Sequence, residues 1–488
     1  MNRRKFLTQS ATIGGFALIS PLHALGVRAA NGQAPRRVAG YGPLVPKGPE
    51  LALPPEFNYQ VISRQGELMN DGRPTPGAFD GMGAYPGLAG TTILIRNHEN
   101  RERLGEVPVV SPTPYDPSVR AGNTKLVVRR DKVGQESYVY TVEDSFTILG
   151  GTSTNCAGGV LPFKKWLTCE EVVKGPTFGP PPGGPSLLKH GYIFEIDAMA
   201  DTAVEALPIL GAGRFAHEAT VWRSGVLYQT EDRSLAQGGA CFYRYIPDSR
   251  VGRSGNLAET TGPLHALKIK GEFRANMDTG RVIGVPYEVE WVPIDEPDHE
   301  DDTDMRQDRV PGFTPVRFQA QDRGAAVFDR QEGMWVGTGG AKIYFDCTDG
   351  GPQNLGQVWE YDPGRETLTL IYESTNPGLL KHPDNVVIVP QTGDMFLCED
   401  SSILPQFIRG LTLDGEIYDF AQALIGQTEF AGACFDPDGQ TLYVNQYGMR
   451  SVSDNAPDLP AGPPGQGGVT YAIFGPFEQR TGDRSRNL

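Results

Sequence analysis

Beyond its first thirty residues the 488-residue chain has no run of the ~20 uninterrupted apolar residues that a membrane span requires. Cysteine is scarce. Cys156, Cys169, Cys241, Cys347, Cys398 and Cys434 form no C-x-x-C pair, which excludes a zinc ribbon or a dense disulfide scaffold and leaves one or two bridges open. Only seven histidines occur, too few beside so few cysteines for an ordinary zinc site. There is no G-x-S-x-G elbow, no P-loop lysine and no H-E-x-x-H, since Ala219-Thr220-Val221 follows His217-Glu218. Serine hydrolase, zincin and nucleoside-triphosphate readings fall away. Positive charge is in deficit, with 44 Lys+Arg against 59 Asp+Glu. Without clustered bases to displace counterions, nucleic acid is not a partner. Long stretches of helical 3.6-residue period are also lacking.

The chain does contain 61 Gly and 40 Pro, without a G-X-Y period or low-complexity tract. Together they exceed the average share of about 12%. They punctuate short β-type runs, which reads as an all-β protein. At the N-terminus MNRRKFL precedes an apolar stretch from Ala11 to about Val27 that ends in small residues near Ala29 and Ala30. This is the layout of an export signal over residues 1–30. Its Arg3-Arg4 pair resembles the twin-arginine type, which implies the twin-arginine translocase as an export partner and a periplasmic or extracellular location. The first cysteine is Cys156, so no lipidated cysteine anchors the chain at the cleavage site.

Residues 31–488 read as one domain. A unit of polar residue, apolar strand, tight turn, second strand and acid or amide recurs six times: Phe79–Glu99, Asn155–Glu171, His217–Asp232, Arg330–Asp349, Asp384–Asp400 and Gly432–Gln446. Six hairpins at irregular spacing predict a six-bladed β-propeller with long loop insertions. The start of a hairpin's first strand and the end of its second lie at one end, so their polar residues share one channel mouth. That mouth gathers Asn97, Glu99, Cys169, Glu170, Glu171, His217, Glu218, Glu231, Asp232, Arg330, Glu332, Asp384, Glu399, Asp400 and Asn445. So many carboxylates repel one another unless cations neutralise them. Oxygen donors suit calcium, while a thiolate at Cys169 points to a softer or more highly charged ion such as iron. The acidic run Asp295–Asp308 lacks the glycine and terminal glutamate of an EF-hand and reads as a solvated insertion, or else an accessory calcium loop.

At NHE (Asn97–Glu99), NCAGG (Asn155–Gly159), WLTCEE (Trp166–Glu171), GRFAHE (Gly213–Glu218), RQEG (Arg330–Gly333), PDN (Pro383–Asn385) and CED (Cys398–Asp400), the sequence resembles the PhoX-type alkaline phosphatases. The resemblance implies a monomeric six-bladed propeller that hydrolyses small-molecule phosphate monoesters with ferric iron and calcium. It implies Cys169 and Glu218 as iron ligands, with Glu170, Glu332, Glu399 and Asp400 at calcium or bridging positions. Arg330 would contact the substrate phosphate, with Glu332 beside it as the second catalytic residue. Two departures stand out. The family's Arg-Pro-Glu is Arg330-Gln331-Glu332 here, and its Gly-Asp-Asp is replaced by Thr230-Glu231-Asp232-Arg233. Two other readings are a calcium-dependent propeller hydrolase of lactones or esters, and a non-enzymatic binding propeller.

Overall fold

The computed structural model describes residues 37–102, 106–134, 137–248, 256–401, 403–425, 428–448, 467–478 and 480. The Arg3-Arg4 signal lies outside the described residues. The six hairpins foreseen in the sequence are the inner halves of six antiparallel blades. Blade 1 is Phe79–Pro86, Thr91–His98, Ala121–Lys132 and Tyr138–Thr152; blade 2 is Asn155–Leu161, Lys165–Glu170 and Ile193–Asp197. Blade 3 begins with His217–Arg223 and Val226–Glu231, and blade 4 with Gln331–Val336 and Ile343–Cys347. These two are joined at their outer edges by Pro286–Pro293 into one nine-stranded sheet. Blade 5 begins with Pro383–Ile388 and Met395–Glu399, and blade 6 with Phe430–Phe435 and Thr441–Gln446. The first strands adjoin one another in the cyclic order of the blades, and the first adjoins the last.

Ring closure comes from the N-terminal side of the chain. Asn58–Arg64 pairs with Val469–Phe474 as the outer strand of blade 6, so a non-local β-pairing fastens the circle. Leu51–Leu53 likewise extends blade 5. Each interface between neighbouring blades holds one apolar cluster, six in all. Both faces of a blade are therefore buried, which explains strands buried along their whole length, such as Thr91–His98, where a half-exposed strand would alternate.

Each first strand is irregular near its start. Register shifts fall between Phe79 and Met82, Asn155 and Gly158, His217 and Thr220, Gln331 and Met334, Pro383 and Asn385, and Ala431 and Cys434. A bulge re-aims the extra residue out of the ladder. The residues inside these bulges include Asp80, Cys156, Glu218, Glu332, Asp384 and Gly432, one from each blade. Small neighbours permit the crowding. A Cβ on Gly81 would meet Ala157 Cα and the Cys156 carbonyl at 2.7 Å, and one on Gly333 would meet Asn385 Cα at 2.7 Å.

The acidic insertion is solvated only in part, with Asp295, Glu300 and Asp308 exposed and its middle turned inward. His299, Asp302 and Asp304 are buried, and arginines neutralise the acids. Arg214 Nη2 donates to Asp302 at 2.7 Å, while Arg317 Nη1 and Arg233 Nε donate to Asp304 at 2.7 and 2.9 Å. Thr177, in the Pro/Gly-rich loop Gly175–Pro185, donates to Asp302 from its amide and hydroxyl, tying that loop to the insertion. The one α-helix among the described residues, Val316–Asp322, supplies Arg317.

Candidate metal centre

Three groups of side chains could each hold a cation, with ligand atoms within 4.8 Å of one another: Cys156, Glu171 and Glu218; Glu218, Glu332 and Asp384; and Asp80, Glu99 and Glu429. Five of these residues are the bulge residues of blades 1 to 5, and Glu218 belongs to two groups. The bulges thus turn a ring of backbone irregularities into a ring of donors.

Side chains from neighbouring strands clamp the ring. Asn97 Nδ2 donates to the carbonyls of Cys156 and Ala157 at 2.6 and 2.7 Å, and Asn445 Nδ2 donates to the Asp80 carbonyl at 2.6 Å. Thr230 Oγ1 donates to the Glu332 carbonyl and Thr348 Oγ1 to that of Pro383, both at 2.7 Å. The Cys156 thiol itself reaches the His217 carbonyl at 3.2 Å. Such outer contacts fix where ligand atoms point.

The electrostatics show a deficit of positive charge. Burial and the neighbouring acids push Asp80, Glu171, Glu218, Glu332 and Glu429 well above the ordinary carboxyl range. Asp384 is pushed up to about 7 by burial and by Asp400. Burial, Glu218, Glu171 and Asp80 likewise raise the Cys156 thiol. Two acids escape. Burial would raise Glu99, but Arg101 holds it below its usual value. Asp232, against the same tendency, is held near about 2 by the bidentate Arg330, whose Nε and Nη2 donate at 2.9 and 3.0 Å. The donor set of one thiol and many carboxyls fits hard cations together with one of higher charge or softness.

Of the residues expected from the sequence, Glu218 and Glu332 stand in these groups. Arg330 stands beside them, its Nη2 at 2.8 Å from Glu332. Asp400 is half-buried and hydrogen-bonded to Glu429. The other three expected ligands lie outside these groups, and Glu170 and Glu399 are taken up by other donors. Glu170 accepts four hydrogen bonds, from Ser153 N, His190 Nδ1, Gly191 N and Tyr192 N at 2.6 to 3.1 Å. Glu399 accepts from Lys381 N and Nζ, Phe407 N and Arg409 Nε at 2.8 to 3.3 Å. Cys169 pairs with Ile193 in the regular ladder and lies, as Cys156 does, in the apolar cluster between blades 2 and 3, where burial, Glu218 and Glu170 raise its thiol. The cysteine grouped with the acids is Cys156. Sequence reasoning missed Cys156, Asp80 and Glu429. For the first two the signal is the recurring acid or thiol followed by a small residue at the start of a first strand, in FDG, NCA, HEA and QEG.

All six cysteines are free and buried. No helix among the described residues is long and apolar enough to cross a membrane.

A closed ring of blades whose channel mouth converges a thiol and several carboxyls defines the class, a β-propeller with candidate cation sites at its mouth. The family model for alkaline phosphatase PhoX matches residues 39–448, and the chain belongs to that family of metal-dependent phosphomonoesterases. Among solved structures, Pseudomonas fluorescens PhoX in complex with vanadate, a transition state analogue, is similar at a TM-score of 0.63 and 17% identity. The match covers 92% of this chain and 99% of that one. At that identity the likeness is one of fold. A protein of unknown function from Dyadobacter fermentans (TM-score 0.38, 10% identity, 86% and 100% covered) and the RRP9 WD40 repeats (0.38, 8%, 86% and 99%) are too distant to inform the site. No curated protein matches at a significant level.

Proposed function

We propose that the channel mouth hydrolyses small-molecule phosphate monoesters with a mixed cluster of ferric iron and calcium. Cys156, Glu171 and Glu218 would hold iron, and Glu218, Glu332 and Asp384 the ion beside it. Asp80, Glu99 and Glu429 would hold calcium, with Asp400 flanking through Glu429. The observation that carries this reading is the sharing of Glu218 between a group with a thiol and a group without one. A shared carboxylate is what two adjacent cations need between them. Bound there, the cations supply Lewis acidity toward the phosphoryl oxygens.

The chain's own residues do the rest. Arg330 is one of the cationic donors at the mouth; Asp232 fixes its guanidinium plane through two parallel bonds, and Glu332 holds its Nη2. A guanidinium oriented in this way meets the charge that develops on the equatorial oxygens of a transferring phosphoryl group. Asp232 is braced in turn, because Arg233 Nη1 donates to its carbonyl at 2.8 Å and Arg233 Nε is anchored on Asp304 of the insertion. No serine elbow is present in the sequence, which accords with a reaction that uses no side-chain nucleophile. The Arg3-Arg4 pair supports export of the chain, folded and loaded with metal, by the twin-arginine route.

Elemental analysis of protein purified after native export tests the cluster. Iron together with calcium is expected, and calcium without iron would return the reading to a calcium-only hydrolase. Cys156→Ser should remove iron and lower kcat/KM by no less than the about 10–100-fold that outer-sphere partners of metals cost. Cys169→Ser should leave both in place. The reverse pattern would restore Cys169 as the ligand.

A further inference from the structure

The wall of the mouth carries a continuous line of paired charges. Arg330 sits on Asp232, and Asp232 is hydrogen-bonded to Glu171. Glu171 accepts from Arg101 Nη2 at 2.7 Å, and Arg101 Nε donates to Glu99 at 2.7 Å. Arg101 therefore bridges the group containing Cys156 to the group containing Asp80, through Glu171 and Glu99. It is presented as Arg330 is. Both guanidiniums place their Nε and Nη2 on carboxylates, and neither Nη1 has a hydrogen bond among the described residues. Their side chains are 34% and 27% exposed. When cations occupy the two groups, they draw the charge of Glu99 and Glu171, and the guanidinium between them keeps uncompensated positive charge at an open edge.

We propose that Arg101 is a second anion-binding residue of the substrate site, donating from its Nη1 edge to an anionic oxygen of the ester or of the phosphate product. The inference rests on the phosphomonoesterase reading. The anionic oxygen can belong to the transferred phosphoryl group or to a further acidic group on the alcohol portion, and two measurements separate these. Inorganic phosphate is titrated calorimetrically into metal-loaded wild type, Arg101→Gln and Arg101→Lys. The ratio of kcat/KM for 3-carboxypropyl phosphate over butyl phosphate is measured on the same three proteins.

Loss of one charge-assisted contact should appear as an about 10- to 100-fold effect in Arg101→Gln, partly restored in Arg101→Lys. Weaker phosphate binding assigns the contact to the phosphoryl group, and a fall in the ratio with phosphate binding unchanged assigns it to the second acid. If neither moves, the proposal fails. It fails also if Arg101→Gln loses metal, because Arg101 then acts only by holding Glu99 and Glu171. Should wild type hydrolyse no monoester, it is the functional reading that falls, and the phosphate titration still decides whether Arg101 binds an anion.

Discussion

Glu170 and Glu171 are neighbours with opposite fates. At the end of a blade's second strand the last paired residue turns into the blade and the next one faces the mouth. Glu170 and Glu399 turn inward and meet four donors each, whereas Glu171 joins a ligand group and Asp400 meets Glu429. Glu231 follows the inward rule, accepting from Cys241 N and Tyr243 OH, while Asp232 takes Arg330. The doublets Glu-Glu, Glu-Asp and Glu-Asp offer acids in both phases, so composition could locate the strand end but not choose between partners. Glu399→Gln tests the inward role. It would leave Lys381 and Arg409, both almost wholly buried, short of a charge, at a cost of about 3–5 kcal/mol. Urea unfolding should show that loss with metal content unchanged; loss of metal at unaltered stability would make Glu399 a ligand.

At the scale of the element, the bulge is the unit that builds the site. Regular alternation would send the side chains at these positions toward the neighbouring blades, and the extra residue re-aims one of them into the channel. The bulges can approach because a glycine or alanine follows most of the donors. Gly333→Ala would put a Cβ 2.7 Å from the Val386 amide nitrogen and 2.8 Å from the Asp384 carbonyl, backbone atoms that cannot swing away. It should cost about 1–3 kcal/mol and weaken metal binding, since Glu332 and Asp384 share a group. Calorimetric titration with calcium would read the second effect. Asn97→Ala should act on the bulge of blade 2 from the second strand of blade 1. It removes the donor to two buried carbonyls and the acceptor of Trp166 Nε1, at about 1–3 kcal/mol for each group left unpaired. Thermal unfolding would register it even where activity survives.

Across the whole molecule, the closed circle makes the mouth a single rigid object. Asn58–Arg64 fastens Val469–Phe474, and the six inter-blade clusters transmit that closure to every first strand. Cations that bind only this assembled mouth stabilise the fold by mass action, by about 2.7 kcal/mol for a site held at 100 times its Kd. Chelation should therefore lower Tm and calcium should restore it, in a concentration-dependent way that scanning calorimetry can follow. A Tm indifferent to chelator would mean that no cation binds the folded ring.

The sequence by itself determined the six hairpins, their order and the concentration of acids at their ends, because strand periodicity and turn residues are local. It also carried Glu218, Glu332 and Arg330 to the mouth. Tertiary structure alone decided which thiol meets the acids and which member of each doublet is spent on the blade. A bulge shifts side-chain phase by one residue without changing composition. A ligand group, moreover, exists only where side chains tens of residues apart bring their donor atoms within 4.8 Å of one another. The same holds for the acidic insertion, where Asp302 and Asp304 look like their solvated neighbours in one dimension and are buried on Arg214, Arg233 and Arg317 in three.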